Sequence, residues 1–148
     1  MNNKSVLMAG VLFCVPLFAA DATVAGEVTT AYPTLTNLSI EWKIQGDDNL
    51  NGRVAVQYRA AGEETWREGM ALIRIPAGDS AKRASRLFTW ENKHSGSLLD
   101  LKPGVEYEIR LRLEDPDGGS AERTVRARTR NVPRPWPGAP VKKVTPTS

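Results

Sequence analysis

From Tyr107 to Glu114 apolar and charged residues alternate without a break. Tyr107, Ile109, Leu111 and Leu113 fall on one side of an extended chain, and Glu108, Arg110, Arg112 and Glu114 fall on the other. Such period-two alternation is what a strand with one buried face requires, and a helix cannot satisfy it. Asp115-Pro116-Asp117-Gly118-Gly119 follows as a hairpin turn, because proline fixes φ early and glycine supplies positive φ late. After the turn Val125 and Ala127 point inward, and Arg126, Arg128 and Arg130 point outward. Across the hairpin, Glu108, Glu114 and Glu122 can offset Arg110, Arg112 and Arg126, which predicts a solvated sheet face rather than an anion-binding groove.

Two earlier runs repeat the pattern. Leu38, Ile40, Trp42 and Ile44 alternate with Ser39, Glu41 and Lys43; Val54, Val56 and Tyr58 alternate with Arg53, Ala55, Gln57 and Arg59. Val28, Ala31 and Leu35 can form a short strand at a sheet edge, where Pro33 needs no ladder bond. Thr65-Trp66-Arg67 resumes extended chain, and Leu72 to Ile75 can continue it. Pro76 to Ser85 is predicted to be a surface loop, and Glu91 to Gly96 a polar loop holding His94. No segment sustains apolar spacing at the helical period, so the expected class is all-β. About seven strands over roughly one hundred residues fit an immunoglobulin-like sandwich.

The chain is hydrophobic enough at 41% to build a core and too apolar to be disordered. A net charge of +3 is too small to draw it to nucleic acid or to an anionic membrane. Lys4 followed by the apolar run Val6–Ala20 and the small-x-small triplet Ala20-Asp21-Ala22 has the build of a secretory signal peptide, residues 1–22, with the mature chain starting near Thr23. The run is interrupted by Gly10 and Pro16 and falls short of the ~20 residues of a spanning helix. The expected setting is therefore exported (periplasmic, cell-surface or extracellular) with no stable membrane insertion after cleavage. Cys14 is the only cysteine and lies inside this leader, where Val11-Leu12-Phe13 lacks the small residue that lipidation requires. The mature protein then has no disulfide, thiolate nucleophile or cysteine metal site. From Asn131 onward prolines recur at 133, 135, 137, 140 and 146, which predicts a Pro-rich tail or linker over 131–148.

Few residues carry chemistry. Asp47, Asn49, Asn51 and Gly52 match the opening of a calcium loop, but the twelfth position, where a bidentate glutamate belongs, is Tyr58. The competing reading is a polar turn whose Asp, Asn and Gly accept left-handed backbone. His94 is the single histidine, with no nucleophile placed beside it in sequence. One histidine also falls short of a metal cluster. No catalytic residue, metal or cofactor is expected, and the chain is read as non-enzymatic. Asn37-Leu38-Ser39 matches the N-glycosylation triplet, a short pattern of little weight. Trp66, Trp90 and Trp136 are candidates for ligand contact, since an exposed tryptophan can stack on a sugar ring or fill a partner's pocket. The competing place for Trp66 and Trp90 is against sheet edges or beneath the long insertion.

With Trp42 on the second strand, Tyr58 on the third and Leu101-x-Pro103-Gly104-x-x-Tyr107 ahead of the sixth, residues 27–130 resemble a fibronectin type III domain. The resemblance implies a seven-stranded sandwich. It assigns Tyr107 to a tyrosine corner, with its hydroxyl bonded to backbone a few residues upstream. It implies structural roles for Trp42, Tyr58, Leu101, Pro103, Gly104 and Tyr107, and no catalytic ones. The span from Arg59 to Ser97 is long for that family, and Pro76 to Ser85 is read as an insertion. Gly46 to Asn49, Tyr58-Arg59, Trp66-Arg67 and the Asp115–Gly119 turn add a narrower similarity. They look like the fibronectin type III module that heads large secreted bacterial proteins, where a parallel β-helix follows a Pro-rich junction. That similarity implies an accessory module, here a truncated or split relative. It would act as a spacer or touch another domain, another protein, or cell-surface or extracellular polysaccharide.

Overall fold

The computed structural model describes residues 21–80, 88–140 and 142. The stretch read as an export signal lies outside them, apart from Asp21 and Ala22. The described chain forms β1 (Val24–Thr29), β2 (Leu38–Gln45), β3 (Arg53–Ala60), β4 (Arg67–Glu68), β5 (Ile73–Ile75), β6 (Gly78–Asp79), β7 (Thr89–Trp90), β8 (Lys93–Leu98), β9 (Glu106–Glu114) and β10 (Ala121–Arg128). One sheet has the order β1-β2-β8-β5, a second the order β10-β9-β3-β4, and β6 and β7 form a separate two-stranded ribbon.

The alternating runs become the faces that meet between the two sheets. Leu38, Ile40, Trp42 and Ile44 from β2 pack against Val54 and Val56 from β3 and Ile109, Leu111 and Leu113 from β9, with Leu72, Leu98, Leu101 and Tyr107 completing the core. Register enforces this, because a one-residue slip would turn every one of these side chains to solvent. Val54 stands opposite Leu113 and Val56 opposite Leu111, so inward residues meet inward residues along the β3–β9 ladder. Trp42 is fully buried, and its indole Nε1–H donates to the Gly26 carbonyl of β1 at 3.2 Å.

Three departures from the sequence reading concern the middle of the chain. Leu72 to Ile75 does not extend the Trp66 segment. The chain crosses between the sheets at Gly69 to Leu72, where the Gly69 amide bonds the Val56 carbonyl and the Leu72 amide bonds the Val54 carbonyl. β5 then pairs with β8 on the opposite sheet. The polar stretch around His94 is not a loop. It is β8, an inner strand held by β2 on one side and β5 on the other. The expected loop at Pro76 to Ser85 contains β6, paired with β7; its residues 81–85 fall outside the described ones.

On β10, Arg123 stands opposite Leu111 and therefore faces the core side at the outer edge of its sheet. A charge pointing inward on an edge strand opposes docking of another strand there, because pairing would bury it.

The turn before β9 has a specific geometry. Gly104 has φ of +70°, a left-handed conformation that favours glycine, and it sits against the Asn131 side chain. The Lys102 amide donates to the Tyr107 hydroxyl at 2.9 Å, across the crossover from one sheet to the other. Buried Thr129 donates its hydroxyl to the Lys102 carbonyl at 2.7 Å and accepts from the Val105 amide at 3.1 Å. Tyr107→Phe keeps the packing and removes one hydrogen bond. It should lower the stability read from urea denaturation by about 0.5–1.5 kcal/mol with the slope unchanged. No measurable change would mean that this bond does not hold the corner.

Candidate functional site

β2 and β9 end, and β1, β3 and β10 begin, at one end of the sandwich. Antiparallel connectivity thus gathers the 46–52 turn, the 115–120 turn, Thr23 and the chain after β5 into one polar cluster. Asp47 lies at its centre and is fully buried, with φ of 55°. Its Oδ1 accepts from the amides of Asn51 and Gly52 at 2.9 and 3.0 Å, and its Oδ2 accepts from Arg74 Nε. Arg74 Nη2 also reaches the Asp47 carbonyl at 3.1 Å. Burial alone would push the Asp47 carboxyl up. The Gly52 amide, the Arg74 guanidinium and the Asn51 amide outweigh it and hold the carboxyl below its ordinary value.

The residues that the calcium alternative would use bond within the protein. Asp47 is committed to a guanidinium, and the side-chain amides of Asn49 and Asn51 both donate to Asp117 Oδ2 at 2.7 Å. Those two bonds hold the Asp117 carboxyl below the usual carboxylate range. Asp115 accepts from the Thr23 hydroxyl through Oδ2 and from the Asp117 amide at 2.8 Å through Oδ1. Among the described residues no group of three or more His, Cys, Asp or Glu side chains is placed to hold a metal ion. The bonds from Asn49 and Asn51 tie the 46–52 turn to the 115–120 turn.

His94, expected in a polar surface stretch, is fully buried on β8 between Trp42 of β2 and Arg74 of β5. Neither ring nitrogen has a hydrogen-bond partner among the described residues. Burial and the neighbouring Arg74 push its pKa down, and Asp47 and Asp115 oppose them without prevailing. The ring has no exposed surface at which a substrate could meet it.

The three candidate contact tryptophans fare differently. Trp66 is half-buried beneath two guanidinium groups, Arg59 at 4.4 Å and Arg110 at 4.1 Å from its ring. Arg59 and Arg126 share Glu108, at 2.7 and 2.5 Å, and Arg110 approaches Glu122 at 3.8 Å. These pairs hold the Glu108 carboxyl down and realise the mixed-sign face expected of this sheet. Trp66 is thus engaged in a cation–π stack instead of offering a bare ring. Trp90 is 38% exposed, anchored by its Nε1–H to the Pro76 carbonyl at 2.9 Å and lying close over Gly78. Trp136 is 81% exposed in the proline-rich segment. The structure does not bring the three together.

Tyr58 lies half-buried with its ring centroid 6.3 Å from that of Tyr107. At this opposite end a shallow pocket of about 490 Å³ is lined by Tyr58, Arg67, Lys102 and Tyr107 among others. It holds both signs of charge and no convergent polar set. Leu101 is buried beneath it, and Pro103 is exposed in the turn.

Two antiparallel sheets in this order, a buried tryptophan on β2 and a hydroxyl-anchored tyrosine at the start of β9 define a fibronectin type III-like β-sandwich. β1, β2, β3, β4, β8, β9 and β10 supply its seven strands, and β5 with the β6–β7 ribbon lies in the long span. No family model matches the chain, and no curated protein matches it. Solved structures do resemble it. One described as a myokine structure is 15% identical, covers 74% of this chain and 99% of its own, and has a TM-score of 0.49. The fourth FNIII domain of a human protein is 17% identical over 88% of this chain and 96% of its own, with a TM-score of 0.45. A fibronectin type III domain from the human KIAA0970 protein is 12% identical over 87% of each chain, with a TM-score of 0.46. At these identities the likeness concerns fold alone.

Proposed function

We propose that this chain is a non-catalytic accessory module of an exported protein, acting as a spacer or as a contact domain for protein or polysaccharide. One observation carries the first half of that reading: the chain's single histidine and the carboxylate of Asp47 are both sealed inside and spent on structure. The leader-like residues 1–22 and the Pro-rich segment from Asn131 support the export and linker parts. The narrower similarity supports, as part of this proposal, the setting of secreted bacterial β-helix proteins, with the chain a truncated or split relative. A β-helix reading frame directly downstream would support that setting, and its absence would leave a free-standing module. Intact mass of the protein recovered after export should correspond to a start near Thr23; retention of residues 1–22 would overturn the export reading.

A carbohydrate-binding role is the second reading, and the exposure of Trp136 and Trp90 favours it. Arrayed polysaccharides should then retain the protein, and Trp136→Ala or Trp90→Ala should weaken retention at least about tenfold, as loss of a stacking anchor does. Trp66→Ala should change retention less, because Arg59 and Arg110 already occupy that ring. Absence of binding to every polysaccharide would remove this reading and leave the spacer.

A further inference from the structure

We propose that His94 is an acid-sensitive latch, whose protonation releases β5 and the segments β5 holds while the rest of the sandwich stays folded. Trp42, His94 and Arg74 stand side by side across β2, β8 and β5, all pointing between the sheets. His94 has no exposed surface and both of its ring nitrogens are unpartnered. The next side chain along that row, Arg74, is itself nearly buried, and its Nη1 also lacks a partner. Together with Asn51 Oδ1, these are the buried side-chain polar atoms without a bond among the described residues, and all lie at this one end. The cluster is therefore the least satisfied part of the interior.

The charged groups facing His94 are Arg74 from β5, Asp47 from the β2–β3 turn and Asp115 from the β9–β10 turn. Both carboxylates are already engaged, Asp47 by Arg74 and two backbone amides, Asp115 by the Thr23 hydroxyl and the Asp117 amide. Lys43 and Lys93 belong to the outer face, where they pair with Glu91 and Glu41. A proton added to His94 thus puts a second cation beside Arg74 in a dry interior, where both nearby carboxylates are already engaged.

The place that yields is set by topology. β8 is joined to β2 along six residue pairs, Leu38–Leu98 to Lys43–Lys93, but to β5 along only three, Ile73–Ser95 to Ile75–Lys93. β5 is also the outermost strand of its sheet. Lifting it away lets water reach the imidazolium and separates Arg74 from it, while β2 and β8 remain paired. Because the folded state disfavours the charged imidazole, the stability this arrangement contributes is fully present above the ordinary histidine value of about 6.5. It is lost as pH falls from there through the lowered folded value, since the opened state binds the proton more readily. Release of β5 also removes Arg74 from Asp47 and frees the β6–β7 ribbon that follows it.

Backbone hydrogen exchange on the whole protein, corrected for the intrinsic pH effect, tests this. Between about pH 7.5 and about pH 5, amides of Ile73 to Ile75 should lose at least about tenfold more protection than those of Ile109 to Leu113. His94→Leu should abolish the difference. An acid-induced loss shared equally by β3 and β9, or one that persists in His94→Leu, would overturn the proposal. A second readout needs no variant. The His94 ring carbon proton should stay in its neutral position until β5 opens; titration at or above about 6.5 with β5 still protected would overturn it equally.

Discussion

Asp47→Ala should cost about 3–5 kcal/mol, because it strips a buried cation of its partner. Arg74 would keep its guanidinium inside the sandwich with only the Gly46 and Asp47 carbonyls for company. The amides of Asn51 and Gly52 would lose their acceptor at the same time. Removing both partners is a different matter: Asp47→Ala combined with Arg74→Met should recover much of the loss, since no unpaired charge remains. Urea denaturation at neutral pH measures both. A single-variant loss under about 1 kcal/mol would place Arg74 in solvent instead, where ion pairs contribute little. The pH dependence has a definite sign. Asp47 is held below its ordinary value, so its contribution is complete above about pH 4 and is lost as pH falls through the lowered value. The His94 window lies higher, so acid should act on this end of the sandwich in two stages.

Trp42→Ala is the second large effect, at about 3–5 kcal/mol. The indole has no exposed surface and packs within the core cluster. Its loss would leave a cavity and also orphan the Gly26 carbonyl that accepts from it. For a domain with about 5–15 kcal/mol in hand, this approaches unfolding. Trp136→Ala, at a ring standing in solvent, should change stability by no more than about 0.5 kcal/mol. Chemical denaturation of the two variants side by side separates the structural tryptophan from the free one. Similar losses would mean that Trp136 packs back on the sandwich.

The strands that could be read in advance were those in which every inward position is large and apolar. β2 and β9 satisfy that condition from end to end, and β3 does so from Val54 to Tyr58. β8 does not, although it is an inner strand. Its inward positions include His94 and Gly96, and a Cβ at Gly96 would lie 2.9 Å from a Leu72 side-chain carbon. Leu72 fills the space that β8 leaves empty, so the apolar signal for β8 sits in a different segment. The same holds for the buried cluster. Asp47 looks like a turn residue in sequence, and it does bond its own turn's amides. Its burial follows from Arg74, 27 residues away, in a strand whose sheet could not be assigned locally. Tyr107 was legible because the proline, glycine and tyrosine that make the corner are only a few residues apart.

The tie between Thr23 and the β9–β10 turn has a mechanical consequence. The Thr23 amide bonds the Gly118 carbonyl, and Gly119, at φ of +101°, leaves no room for a side chain against the Thr23 carbonyl. The chain leaves the sandwich at the other end, where the Arg130 carbonyl accepts from Gly104 and the Arg130 amide donates to Thr34. Tension applied between these two points runs along the strand axes. It loads the β1–β2 and β9–β10 ladders in shear, so that many hydrogen bonds resist together instead of parting one by one. A module strung between two neighbours through these exits would transmit force along its length with little extension.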